Sequence, residues 1–163
     1  SWDAPALDDF ARPLNKRGRA AAGRMGRFLA DQGLMPEVIL CSTAQRTRET
    51  LALILPHLAR DMEIRLDARL YDTGVEGYRA RVGALPDTVG TVMVIGHNPA
   101  VEDYARQLAD SGAPEALNAM RDKYPTGALA VLAAPGGAWR HLTRAHLEVF
   151  QVPRDLDGAG GDA

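Results

Sequence analysis

A histidine set where a buried strand hands over to a helix is placed to handle a proton or a phosphoryl group, and His97 has that setting. Gly96-His97-Asn98-Pro99 follows the apolar run Val92-Met93-Val94-Ile95 and precedes a helical pattern over 100–109. Ligands of open α/β sheets bind at the carboxyl ends of strands. Free backbone N–H groups and the helix dipole favour anions there. Asn98 is predicted to cap the helix, with Pro99 at its first position, where no N–H is needed. A neutral imidazole in this place carries protons or attacks, whereas a protonated one binds phosphate. The alternative is a histidine that bonds only a turn carbonyl.

A second strand-to-helix turn carries Cys41-Ser42-Thr43-Ala44-Gln45-Arg46. Arg46 falls in the first helical turn, where a cation opposes the macrodipole. An anion between its guanidinium and the free amides removes that conflict, and the planar fork grips phosphate with two bonds. The competing role for Arg46 is an ion pair with Glu49 or Glu102. Cys41 leaves four residues before Arg46 and six before Arg48, whereas a cysteine-phosphatase loop needs five. Cys41 therefore reads as a small buried hydrophobe that continues Val38-Ile39-Leu40.

No metal is expected. No pair among His57, His97, His141 and His146 has the spacing of a zinc-protease helix. No phosphate-binding P-loop is present, and Gly158-Ala159-Gly160-Gly161 follows no strand, so no dinucleotide cofactor is expected either. A length of 163 residues, with 46% hydrophobic and 25% charged residues, is that of one ordinary globular domain. A net charge of −2 gives no reason to expect nucleic acid or an anionic membrane as partner. No apolar run reaches the roughly 18 residues of a membrane span, and no secretory leader is visible. The single cysteine points to a reducing compartment, the cytoplasm.

The elements that hold these residues alternate in type. Residues 1–14 read as a loop broken by Pro5 and Pro13. Asn15 caps a helix to about Gln32, with Ala21, Ala22, Met25, Phe28 and Leu29 inward and Gly33 as its stop. Its Lys16, Arg17, Arg19, Arg24 and Arg27 form either a docking surface or a solvated face. Residues 37–41 form a buried strand and 44–55 a helix. Residues 62–66 and Leu70-Tyr71 are weaker strands, 76–85 a short helix and 91–95 the strand to His97. A short helix is expected within 111–126. Residues 129–132 and 147–151 close the fold across Gly136-Gly137. The pattern predicts a three-layer α/β fold with a mainly parallel sheet and helices on both faces. A single domain over 1–154 and a tail over 155–163 complete it.

Ser42-x-x-x-Arg46-x-x-x-Thr50 followed by Gly96-His97-Asn98-Pro99 resembles the histidine phosphatase superfamily, its SixA-type phosphohistidine phosphatases in particular. Arg12-Pro13-Leu14-Asn15-Lys16-Arg17-Gly18, Tyr124-Pro125-Thr126-Gly127-Ala128-Leu129 and Leu147-Glu148-Val149-Phe150 extend the likeness in the family's order. The resemblance implies a phosphoglycerate mutase-like fold and transfer of a phosphoryl group to a histidine and then to water. It makes His97 the second histidine and Arg46 a clamp arginine on the phosphoryl oxygens, with Asn98 or Ser42 adding a neutral bond. Glu76 is the candidate general acid, with Asp72 beside it. The other role for Glu76 is a solvated carboxylate in the first turn of a helix.

The family's nucleophile sits in an Arg-His motif that ends the first strand and commonly runs into Lys-Ser-Ser-Trp. This sequence starts at Ser1-Trp2, and none of its other histidines follows a strand in that way. The expectation is a nucleophilic strand upstream of Ser1. Without that strand its neighbours stand two strand spacings apart, about 9–10 Å, and a gap opens beside the strand leading to His97. An anion is expected between Arg46 and His97. The implied function is a metal-independent phosphatase acting on a phosphohistidine protein or a small phosphomonoester. The alternative is a non-catalytic module that binds phosphate or a phosphoprotein and has lost the nucleophile.

Overall fold

Asn15 turns the chain into its longest helix, α2 (Lys16–Asp31). Its backbone is extended and its Oδ1 accepts the N–H of Gly18, satisfying one of the helix's free donors. The helix closes at Gln32, and Gly33 takes a φ of 66°, a conformation that favours a residue without Cβ. Ala22, Met25 and Leu29 are buried, as the apolar stripe predicts.

A computed structural model of the chain describes residues 6–156. The segment read as a loop contains a helix, α1 (Ala6–Ala11). Pro5 lies outside the described residues, and Pro13 follows the helix, so the break it imposes bounds the turn and does not abolish it. Phe10 anchors α1 by setting its ring edge-on to Tyr71 at 5.1 Å.

The strands and helices then alternate: β1 (Val38–Ser42), α3 (Gln45–Ile54), β2 (Glu63–Asp67), α4 (Arg69–Asp72), α5 (Gly74–Gly83), β3 (Val92–Ile95), α6 (Ala100–Leu108), β4 (Ala109–Gly112), α7 (Pro114–Asp122), β5 (Leu129–Ala133) and β6 (Ala145–Gln151). Leu70-Tyr71 is helical and not a strand. Asp67 Oδ1 accepts the N–H of Arg69 at 2.9 Å and starts the turn that makes α4. Ala109 leaves the α6 pattern to begin β4, a strand whose Ala-Asp-Ser-Gly sequence carries no apolar signal. The expected tail begins inside a 3-10 turn, Pro153–Leu156, and the rest of it lies outside the described residues.

Three parallel strands form one sheet in the order β2-β1-β3, with Cys41 level with Leu66 and Ile95. A second sheet has the order β4-β6-β5, with β4 parallel and β5 antiparallel to β6. Among the described residues, β3 pairs only with β1 and β5 only with β6. The strand leading to His97 therefore has an open edge, as expected for an interruption beside it.

All of β1 is buried, whereas β3 and β5 are half-buried along their whole length. The pleat sends alternate β1 side chains to opposite faces. Val38 and Leu40 pack with Tyr78, Val82 and Tyr104 from α5 and α6. Ile39 and Cys41 pack with Leu29 of α2 and Leu51 and Ile54 of α3. Helices thus cover both faces of β1, the three-layer arrangement the alternating pattern predicts. Among the described residues no helix is long and apolar enough to cross a membrane.

Candidate active site

Because Cys41 is level with Ile95, the chain leaves β1 and β3 side by side, and Ser42 and His97 emerge together. His97 Nε2 lies 2.7 Å from Ser42 Oγ. Ser42 is fully buried, and its hydroxyl also accepts the N–H of Ala44 at 3.3 Å. Its hydroxyl is thus the partner that orients the imidazole. From below, Tyr78 holds the same turn. Its hydroxyl accepts the backbone N–H of His97 and donates to the Leu70 carbonyl, each at 2.9 Å.

Arg46 stands in the first turn of α3, as the sequence predicts, but neither Glu49 nor Glu102 holds it. Glu49 accepts from Gln45 and from the Leu14 N–H, and Glu102 pairs with Arg106 at 2.7 Å. Arg46 instead turns to α1. Its Nη1 donates to the Asp9 carbonyl at 2.8 Å, and its Nη2 lies 3.5 Å from Asp9 Oδ2. That carboxylate also accepts the Tyr71 hydroxyl at 2.6 Å and Arg12 Nη2 at 3.2 Å. The Tyr71 ring in turn meets His97 edge-on, with centroids 5.4 Å apart. Arg46 thus makes an ion pair, the competing role for it, but with Asp9 and not with Glu49 or Glu102.

The charges here are set by these contacts. The Tyr71 hydrogen bond, with Arg46 and Arg12 nearby, holds the Asp9 carboxyl below its ordinary range, against the cost of its partial desolvation. Tyr71 is pushed up in return, because Asp9 holds its proton. Burial and the Arg46 charge lower His97 from 6.5 to about 4, with Asp9 opposing them, so the ring is neutral at neutral pH. Between pH 6.5 and about 4 the folded state holds fewer protons on this ring than the unfolded chain, so stability falls as pH drops through that window. A bound dianion favours the imidazolium. The His97 ring resonance is expected to titrate near pH 4 alone and at higher pH with tungstate bound, as read by NMR. An ordinary midpoint indifferent to tungstate would remove His97 from the site.

A cavity of about 220 Å³ opens beside His97, lined by Tyr71, Asp72, Val75, Tyr78, Asn98 and Asp103 among others. Asn98 does not cap α6. Its amide nitrogen donates to the Tyr124 carbonyl at 3.1 Å, and Pro99 takes the cap position. Glu76 is not among the residues around the cavity. Its side chain is 82% exposed and paired with Arg79 at 2.5 Å, the solvated placement that was the other role for it. Cys41 is fully buried, and burial pushes its thiol up to about 11, which fits a packing residue. His146 bonds Ser111 at 2.9 Å on the second sheet, and His141 lies in a 3-10 turn beyond β5. Asp9, Tyr71 and Tyr78 join the site with no local motif to announce them. Only the small residue at 96, beside a helix carrying a tyrosine, hints at one of them.

Comparison with known proteins agrees with this fold. A family model described as histidine phosphatase superfamily, branch 1, matches residues 10–84. An uncharacterised protein of Mycobacterium leprae is 34% identical over 151 residues, 91% of each chain. An uncharacterised protein of Mycobacterium tuberculosis is 35% identical over 152 residues, 91% of this chain and 93% of that one. A solved structure from Nakamurella multipartitia, described as a proposed phosphohistidine phosphatase SixA, is 33% identical with a TM-score of 0.76 over 92% of this chain and 90% of its own. Its counterpart from Agrobacterium tumefaciens is 30% identical with a TM-score of 0.77 over 94% and 91%. With an arginine and a histidine brought to adjacent strand ends in a fold these proteins share, the chain belongs to the histidine phosphatase superfamily.

Proposed function

We propose that the full-length protein is a metal-independent phosphatase. It moves a phosphoryl group from a phosphohistidine protein or a small phosphomonoester to a histidine of its own, and then to water. The observation that carries this reading is the convergence of His97 and Arg46 at neighbouring strand ends, with Ser42 fixing the imidazole at 2.7 Å. Charge in phosphoryl transfer spreads over the oxygens in flight, and preorganised donors stabilise it best. Arg46 supplies a planar pair of donors and His97 a ring N–H, while Ser42 and Tyr78 hold that ring and its backbone. Asn98, at the rim, adds a neutral bond.

The nucleophile in this reading is a histidine ahead of Ser1, on a strand between β3 and β5. The unpaired edges of those two strands support that placement. The relatives described as phosphohistidine phosphatases support the substrate class. So does the short segment between Tyr71 and Thr91, which leaves little chain for a lid over a protein substrate. The full-length protein is expected to hydrolyse a phosphohistidine peptide in EDTA through a phosphoenzyme that acid destroys and base spares. The alternative reading is a non-catalytic module that binds phosphate or a phosphoprotein through Arg46 and His97. Tungstate binding without turnover would establish it in place of the phosphatase.

A further inference from the structure

Asp9 is an unusual neighbour for a phosphoryl site. Its carboxylate lies 3.5 Å from the guanidinium that would clamp a phosphate and 2.6 Å from the hydroxyl of Tyr71, whose ring meets His97. A dianion held by Arg46 and His97 feels this fixed negative charge. A substrate that brings a positive charge on its leaving group is instead attracted to it. The cavity beside His97 has the same sign, because Asp72 and Asp103 line it alongside the Tyr71 and Tyr78 rings. Such walls suit a flat cation. Glu76 is paired with Arg79 in solvent, and Asp9 stays ionised through its bonds to Tyr71 and the arginines, so neither is placed to act as the acid.

We propose that Asp9 is a selectivity residue of this site, admitting N-phosphoryl substrates with a cationic imidazole leaving group and disfavouring dianionic phosphate esters. The proposal rests on the phosphatase reading above. Such a substrate also needs no general acid. In a phosphoimidazole protonated on its second ring nitrogen, the P–N bond breaks and its electron pair passes to the ring nitrogen. The phosphoryl group moves to the nucleophile, and imidazole departs neutral with the proton it already carries. An ester oxygen has no such proton and leaves as an alkoxide unless an acid supplies one.

The test compares kcat/KM for a phosphohistidine peptide and for p-nitrophenyl phosphate in the full-length wild type and its Asp9→Asn variant. The amide keeps an oxygen for the Tyr71 hydroxyl and loses the charge. The phosphohistidine preference is expected to fall about tenfold, the ester being turned over faster and inorganic phosphate inhibiting more strongly. Asp9→Glu, which restores the charge, is expected to recover most of the preference. A mere packing role for Asp9 changes both substrates by the same factor, and an unchanged ratio would overturn the proposal. Asp9→Ser gives the same comparison if the amide variant fails to fold. A wild type inert on both substrates overturns the phosphatase reading and this proposal with it, whereas turnover with an unaltered ratio overturns this proposal alone.

Discussion

Arg46→Ala in the full-length protein is expected to lower kcat/KM for a phosphohistidine peptide by about a hundred- to a thousandfold, the usual cost of removing one donor to a developing oxyanion. The loss should fall on turnover with little change in stability. Among the described residues the Arg46 guanidinium bonds only Asp9, and Asp9 keeps Tyr71 and Arg12 when it goes. Deleting a part-exposed pair of this kind costs about 1 kcal/mol or less. His97→Ala should fall as far in activity, with a further stability cost of about 1–2 kcal/mol, since among the described residues the buried Ser42 hydroxyl then keeps only the Ala44 N–H as partner. Arg46→Lys separates charge from shape. It retains the cation but not the two-pronged grip, so it should recover only part of the rate. Full turnover in both alanine variants, measured beside their melting curves, would show that the phosphoryl group sits elsewhere.

Much of this site is legible because local chemistry announces it. Asn15 and Gly33 bound α2, and the run 38–41 declares a buried strand by its unbroken apolar content. Arg46 is visible because a cation in the first turn of a helix needs a reason. The partners that complete the site are distant in sequence and carry no such signal. Asp9 reaches Arg46 across 37 residues and Tyr71 across 62, and nothing in a short helix ahead of Pro13 foretells either contact. Local signals also misled where tertiary structure competes with them. Leu70-Tyr71 looks like a strand by residue type, yet Asp67 turns the chain there and Leu70 is buried through one helical turn. Asn98 is the standard choice for a helix cap, but the Tyr124 carbonyl holds its amide. Glu76 suits the first turn of a helix, and that placement keeps it in solvent.

Gly96→Ala should damage both folding and activity, for a reason that lies outside its own dihedral angles. Gly96 has no positive φ among those found, so backbone freedom is not what the position requires. A Cβ there would lie 2.0 Å from the Tyr78 hydroxyl and 2.6 and 2.7 Å from two carbons of its ring. Tyr78 is 1% exposed and cannot swing into solvent. Either Tyr78 retreats, breaking its bonds to the His97 N–H and the Leu70 carbonyl, or the 96–97 backbone moves and carries the imidazole off Ser42. Overpacking with loss of buried hydrogen bonds costs about 2–4 kcal/mol. Urea denaturation should show that loss, and kcat should fall more than KM rises, because in the proposed reaction the displaced His97 acts on the phosphoryl in transfer. Tyr78→Phe alone should cost about 1–3 kcal/mol by leaving a buried N–H and C=O without a partner. It should not rescue Gly96→Ala, since the ring carbons remain where the new methyl must go. Tyr78→Leu, which removes the ring, should make the pair less than additive. A Gly96→Ala protein as stable as the wild type would mean that Tyr78 does not fix the height at which His97 leaves its strand.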